Sequence, residues 1–141
     1  MAVDESGRTF GIVAVDAAAR PVAEAWRTRL RELGRPVQTW FGPAPPLDAW
    51  LTAARVGYRL LLAGPEADLL ALRARAGVLL DAEITLHVTD SRERVVRCAR
   101  CRTATRTAAA VLDCAGCGLR LAVHDHVSTV HGAHLGSWSG A

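Results

Sequence analysis

Residues 98–117 read CARCRTATRTAAAVLDCAGC, two Cys-x-x-Cys pairs separated by twelve residues, and they hold all four cysteines of the 141-residue chain. Each pair can curl into a knuckle where two thiolates converge, and the residues between can form a hairpin that brings the knuckles together. Four sulfurs then define a tetrahedral site with metal–sulfur distances of about 2.3 Å. Thr103–Thr107 alternates threonine with other residues and TAAAVL (107–112) leads back, which predicts a short antiparallel ribbon. Leu119, Leu121 and Val123 alternate as a further strand. Too few large apolar residues lie here to fold the segment alone, so metal binding is expected to supply the missing cohesion.

Zinc, Zn2+, is the ion the pattern favours. A rubredoxin-like iron cage also uses two cysteine pairs, but the first knuckle lacks the following glycine expected there and carries Arg102 instead. With four protein ligands, Cys98, Cys101, Cys114 and Cys117, zinc has no open position for water or substrate and is structural. The first twenty residues lack the basic segment, apolar core and cleavage site of a secretory signal, so a cytoplasmic location is expected. In that reducing compartment the cysteines read as thiolate ligands in preference to disulfides.

Before Cys98 the pattern changes. FGIVAV (10–15) suits a strand buried on both faces, with Asp16 at its end. Val22, Trp26, Leu30 and Leu33 recur at helical spacing after Pro21, and Gly34 supplies a stop. PVQTWF (36–41) reads as a second strand, followed by a proline-rich loop and a helix on Leu47, Trp50, Leu51 and Ala54. YRLLLA (58–63) is the third strand, Gly64-Pro65 a turn, and Leu69, Leu72 and Ala76 the stripe of a third helix. Ile84, Leu86 and Val88 alternate with Thr85, His87 and Thr89 as a half-buried fourth strand, suited to an edge. This order predicts an α/β fold: a small three-layer parallel-sheet domain over residues 1–92, then a zinc ribbon with a tail over residues 93–141. Periodicity leaves the strand order open. Trp26, Trp40 and Trp50 are expected as core anchors, His87 as an ordinary surface or partly buried residue, and Trp138 as exposed unless it docks.

Composition narrows the function classes. Half the residues are hydrophobic and 22% are charged, which excludes a wholly disordered chain, and no apolar run approaches the roughly 20 residues of a membrane span. The formal charge of +3 does not by itself indicate a nucleic-acid protein. Every basic residue is arginine, and Arg92, Arg94, Arg97, Arg100, Arg102 and Arg106 crowd together against a single Glu93. Without interleaved aromatics this basic face favours an acidic protein surface over nucleic acid. In the α/β domain the first turn, Asp16-Ala-Ala-Ala-Arg20, has no glycine to admit a phosphate, which favours a packing or docking role over a bound nucleotide or flavin.

The second polar cluster is His124-Asp125-His126 with Ser128, then His131 and His134. A second metal, an interface histidine and hydrogen bonds closing the ribbon are all open readings, the last being favoured. His124 and His126 are expected on opposite faces of a continuing strand, which disfavours chelation by both, and Asp125 is expected to orient a neighbour.

Cys98-x-x-Cys101, Cys114-Ala-Gly-Cys117-Gly118, Leu121, Asp125-His126-Val127-Ser128, Gly132-Ala133 and Gly136 together resemble the carboxyl-terminal segment of the A subunit of bacterial dimethylamine monooxygenases. That enzyme has several subunits and oxidatively demethylates dimethylamine to methylamine and formaldehyde with dioxygen and reduced nicotinamide. The resemblance implies an accessory, non-catalytic subunit whose catalytic and reductase partners carry haem, or the flavin and iron–sulfur chain. Asp125, His126 and Ser128 match the family and fall at a partner interface or support the ribbon. His134 stands where the family has an aromatic, and His131 also departs from it, so the tail contact or substrate specificity is expected to differ. The alternatives are a flavin- or iron-dependent redox domain and a zinc-ribbon module that binds nucleic acid or protein.

Overall fold

The structure is a computed structural model that describes residues 3–139. Its first sheet contains β1 (Thr9–Ala14), β2 (Val37–Phe41), β3 (Tyr58–Pro65) and β4 (Ile84–Asp90) in the order β2-β1-β3-β4, with every pairing parallel. Three helices connect them: α1 (Arg20–Glu32), α2 (Leu47–Ala53) and α3 (Glu66–Arg75). The step from β1 to β2 runs one way across the sheet and the next two run back. Right-handed crossovers therefore place α1 on one face and the other two helices opposite.

The apolar residues follow that division. Phe10, Ile12, Ala14, Leu61 and Ala63 meet Ala23, Trp26 and Leu30 of α1. Val13, Tyr58, Leu60 and Leu62 meet Leu47 and Trp50 of α2 and Leu69 and Leu72 of α3. The central strands are thus covered on both sides, as a continuous run such as FGIVAV requires.

Some expectations need correction. Trp40 is 38% exposed: its register partner Val13 places it on the Trp50 face of the sheet, opposite Trp26, but β2 is an edge strand and Trp40 is not part of the buried cluster there. Gly64 and Pro65 do not leave the sheet in a turn; β3 runs through them, with a register shift against β4. β4 is the half-buried edge strand expected, with Ile84 and Leu86 packed against the core, and only Val88 of the alternating apolar set departs, at 40% exposed. His87 meets the edge of Trp26, with ring centroids 6.3 Å apart.

The second sheet is mixed and five-stranded: β5 (Arg94–Cys98), β6 (Ala104–Thr107), β7 (Val111–Asp113), β8 (Arg120–Ser128) and β9 (Ala133–Trp138), in the order β6-β5-β9-β8-β7. The predicted pairing of Thr103–Thr107 with TAAAVL does not occur. β6 pairs with β5 and β7 with β8, so the two segments sit at opposite edges. Each knuckle is itself the turn of a hairpin, and a hairpin can only pair the strands on either side of its own turn. The segment treated as a tail, Ala133–Trp138, is the central strand, parallel to β5 and antiparallel to β8. Its Gly136 lets Val96 and Leu121 close over the backbone, where a Cβ would stand 2.6 Å from Val96 Cγ1. Trp138 is 66% exposed.

α3 packs on β5 and β9, and Arg106 of β6 reaches Asp68 of α3 at 3.1 Å. No helix among the described residues is long and apolar enough to cross a membrane. Leu61 is fully buried in the centre of the first sheet. Leu61→Ala is expected to cost about 2–5 kcal/mol, read as a lower urea midpoint at unchanged slope.

Candidate metal centre

The two knuckles are built on one local plan. In the first, which joins β5 to β6, the Arg102 amide donates to the Cys98 carbonyl at 2.9 Å and the Cys98 amide to the Thr103 carbonyl at 3.0 Å. In the second, joining β7 to β8, the Gly118 amide donates to Cys114 at 2.9 Å and the Cys114 amide to Leu119 at 2.8 Å. Further amides point at sulfur, Cys101 N to Cys98 Sγ at 3.5 Å and Gly116 N to Cys114 Sγ at 3.4 Å. Such donors favour the thiolate over the thiol.

The sheet order brings the hairpin tips together. Cys98 Sγ lies 3.9 Å from Cys117 Sγ, Cys101 Sγ lies 3.4 Å from Cys114 Sγ, and all four sulfurs fall within 4.8 Å of one another. A tetrahedron with metal–sulfur bonds of about 2.3 Å has edges of about 3.8 Å. The cysteines are free, and the donor set fits a closed structural Zn2+ site. Cys98 and Cys114 are buried with Leu121 beside Leu112 and Leu119, while Cys101 and Cys117 reach the surface. That apolar floor is small.

Electrostatics differ among the thiols. The Thr103 hydroxyl, 3.2 Å from Cys101 Sγ, is the main reason that thiol is drawn down to about 6. Cys98 is also lowered, chiefly by the Cys101 amide. At Cys117 the Leu119 amide pulls down, but burial and the neighbouring sulfurs outweigh it and push the thiol up to about 11. Four thiolates at this spacing repel one another unless a cation lies between them. The cysteine spacing did not disclose Thr103; a hydroxyl two residues after Cys101 is the signal that could have.

Among the described residues, Arg102 is the one non-glycine with positive φ, +69°, and its counterpart Gly118 has +74°. The first knuckle therefore makes the same turn as the second, with a side chain where glycine is the unstrained choice.

The other sequence candidates are dispersed. Arg92 pairs with Asp90 at 2.7 Å, Arg94 with Asp125 at 3.7 Å, and Arg106 with Asp68 and with Glu93 at 3.2 Å. Arg97 contacts His131. Arg100 and Arg102 sit exposed on the first knuckle. The expected opposition of His124 and His126 fails on its premise, since residues two apart on an unbroken strand share a face. What separates them is the register shift between Val123 and Val127. His124 Nε2 meets Ser137 Oγ at 2.6 Å, and His126 borders a cleft with Ser128 and His131. His134 is 5% exposed; its Nδ1 donates to the His124 carbonyl at 2.7 Å, and Nε2 has no partner. These residues do not form a second cluster of metal-ligating atoms among the described residues. In the first domain the Asp16 carboxylate accepts from the Ala19 amide at 3.0 Å, and Arg20 stacks over Phe41 at 4.4 Å. A carboxylate thus occupies the turn where a nucleotide phosphate would need donors.

Residues 95–137 match the family model described as "Dimethylamine monooxygenase subunit DmmA-like, C-terminal domain". The chain is also 42% identical over 93 residues to the heme-dependent oxidative N-demethylase delta subunit of Ectopseudomonas mendocina (strain ymp). That alignment covers 64% of this chain and 53% of the relative, so the chain spans about half the length of the curated protein it matches. Among solved structures, phthalate dioxygenase reductase shares the fold with a TM-score of 0.50 at 15% identity, over 74% of this chain and 45% of that one.

Cys98→Ser is expected to abolish stoichiometric metal retention and melt the second sheet while the first stays folded, measured by elemental analysis and amide exchange. Arg102→Gly is expected to stabilise the metal module by about 1 kcal/mol, seen as a higher melting temperature.

Proposed function

We propose, from the match of residues 95–137 to the DmmA-like family model and the 42% identity to a delta subunit over 93 residues, that this chain is a non-catalytic, zinc-bearing accessory subunit of a cytoplasmic oxygenase complex of the dimethylamine monooxygenase kind. The observation that carries the reading is the coincidence of the family match, residues 95–137, with the four converging cysteines. In this reading Cys98, Cys101, Cys114 and Cys117 ligate one Zn2+ that holds the two hairpins at fixed spacing. A closed four-sulfur site leaves no position for substrate or dioxygen, so the ion orders a surface and does not perform oxidation.

Haem, flavin and iron–sulfur centres belong to the catalytic and reductase partners. The α/β domain, residues 1–92, serves as a docking body, and the module from residue 93 onward presents the contact surface. Arg100 and Arg102 at the tip suit an acidic partner face, where guanidinium forks make directed pairs with carboxylates.

Co-expression with catalytic and reductase subunits, followed by native mass spectrometry and elemental analysis, tests the proposal. One zinc per chain and a reproducible hetero-oligomer are expected, and the isolated chain should be colourless. Stoichiometric flavin or iron on the isolated chain would overturn the assignment, as would a failure to associate with metal loaded.

A further inference from the structure

A groove marks the junction of the two domains, a cleft of about 330 Å3 between the end of α3 and the turn that joins β8 to β9. Arg73, Ala74, Gly77 and Leu79 border it on one side, Thr129 and Val130 on the other. The turn is locked to the helix: Gly132, at φ +62°, rests so closely on α3 that a Cβ would stand 2.5 Å from the Leu70 carbonyl oxygen. Arg73 and Ala74 lie one helical turn beyond Leu70 on the same face. The groove is therefore formed in advance of any partner.

Two of its features have no use inside the chain. Val130 is 77% exposed, and Val78 and Leu80, on either side of Leu79, are 78% and 71% exposed. Single exposed apolar residues need no explanation, but here both domains bring them to one place. The second feature is Arg73. Its Nε is buried with no hydrogen-bond partner. No carboxylate among the described residues pairs with it, not even Asp81 at the border of the same cleft. The dipole of α3 favours a cation in its last turn. It supplies no acceptor for a buried N–H, which costs free energy until one arrives.

We infer that this groove is a docking site for a partner protein segment that sets a carboxylate beside apolar side chains, the carboxylate on Arg73 and the apolar groups against Leu79 and Val130. Charge complementarity selects that occupant, because a guanidinium fork pairs best with a carboxylate. The site rests on the subunit role proposed above and deepens it: the surface offered to the partner spans both domains.

The zinc-loaded full chain is co-expressed with the catalytic and reductase subunits, and the affinity of the complex is measured for the wild type, Val130→Asp, Arg73→Gln and, outside the groove, Val56→Asp. Both groove variants are expected to raise the dissociation constant roughly tenfold or more. Val56→Asp, at a position 94% exposed, should leave it unchanged. Amide exchange at residues 77–80 and 129–131 should slow on assembly. If Arg73→Gln loses its metal or its native amide spectrum, Val130→Asp carries the test. Wild-type affinity in the folded groove variants, or in Arg73→Gln alone, would overturn the docking site and leave the subunit role standing. Failure of any complex to form with metal loaded would overturn both. A dimer of the isolated chain that Val130→Asp disrupts would assign the groove to a second copy and overturn the acidic partner.

Discussion

Four thiolates within 4.8 Å of one another repel unless a cation lies between them, and the second half of the chain brings its cysteines together at that spacing. The apolar floor under the cluster amounts to Leu121 with Leu112 and Leu119 beside it, far too little to hold a five-stranded sheet. Metal ligation replaces the missing core, and amide and hydroxyl donors prepare the sulfurs for it. The first sheet, by contrast, is clad on both faces by two apolar clusters.

The two halves thus solve the same problem differently and then lean on each other. α3 covers β5 and β9 while Arg106 bonds back to Asp68. Paired arginines have a structural use here, whereas Arg100 and Arg102 stand exposed at the knuckle tip. The strained Arg102 backbone fits that picture, since a sequence optimised only for the turn would carry glycine there as the second knuckle does.

The cysteine spacing and the alternation of strands with helices were legible because each rests on a local rule: two ligands per knuckle, and one apolar face per element. Strand order was not, since right-handed crossovers allow several arrangements of the same elements. Trp40 was misread because aromatic size indicates burial only when the strand has neighbours on both sides, and β2 has one. β9 was missed for a related reason. HLGSW has no branched run to announce a strand, and its place is earned by the partners on either side. The polar cluster could be counted from the sequence, but the tautomer of His131 depends on a guanidinium 34 residues away.

The position of β9 also bears on how the molecule is made. This strand is the last element among the described residues, yet it lies between β5 and β8. During translation the first domain has its complete set of strands long before β9 leaves the ribosome. Until then β5 has only β6 beside it, and the two cysteine hairpins have no backbone bridge between them. Seating of this strand and binding of the ion are therefore coupled, since each holds the two cysteine hairpins beside one another.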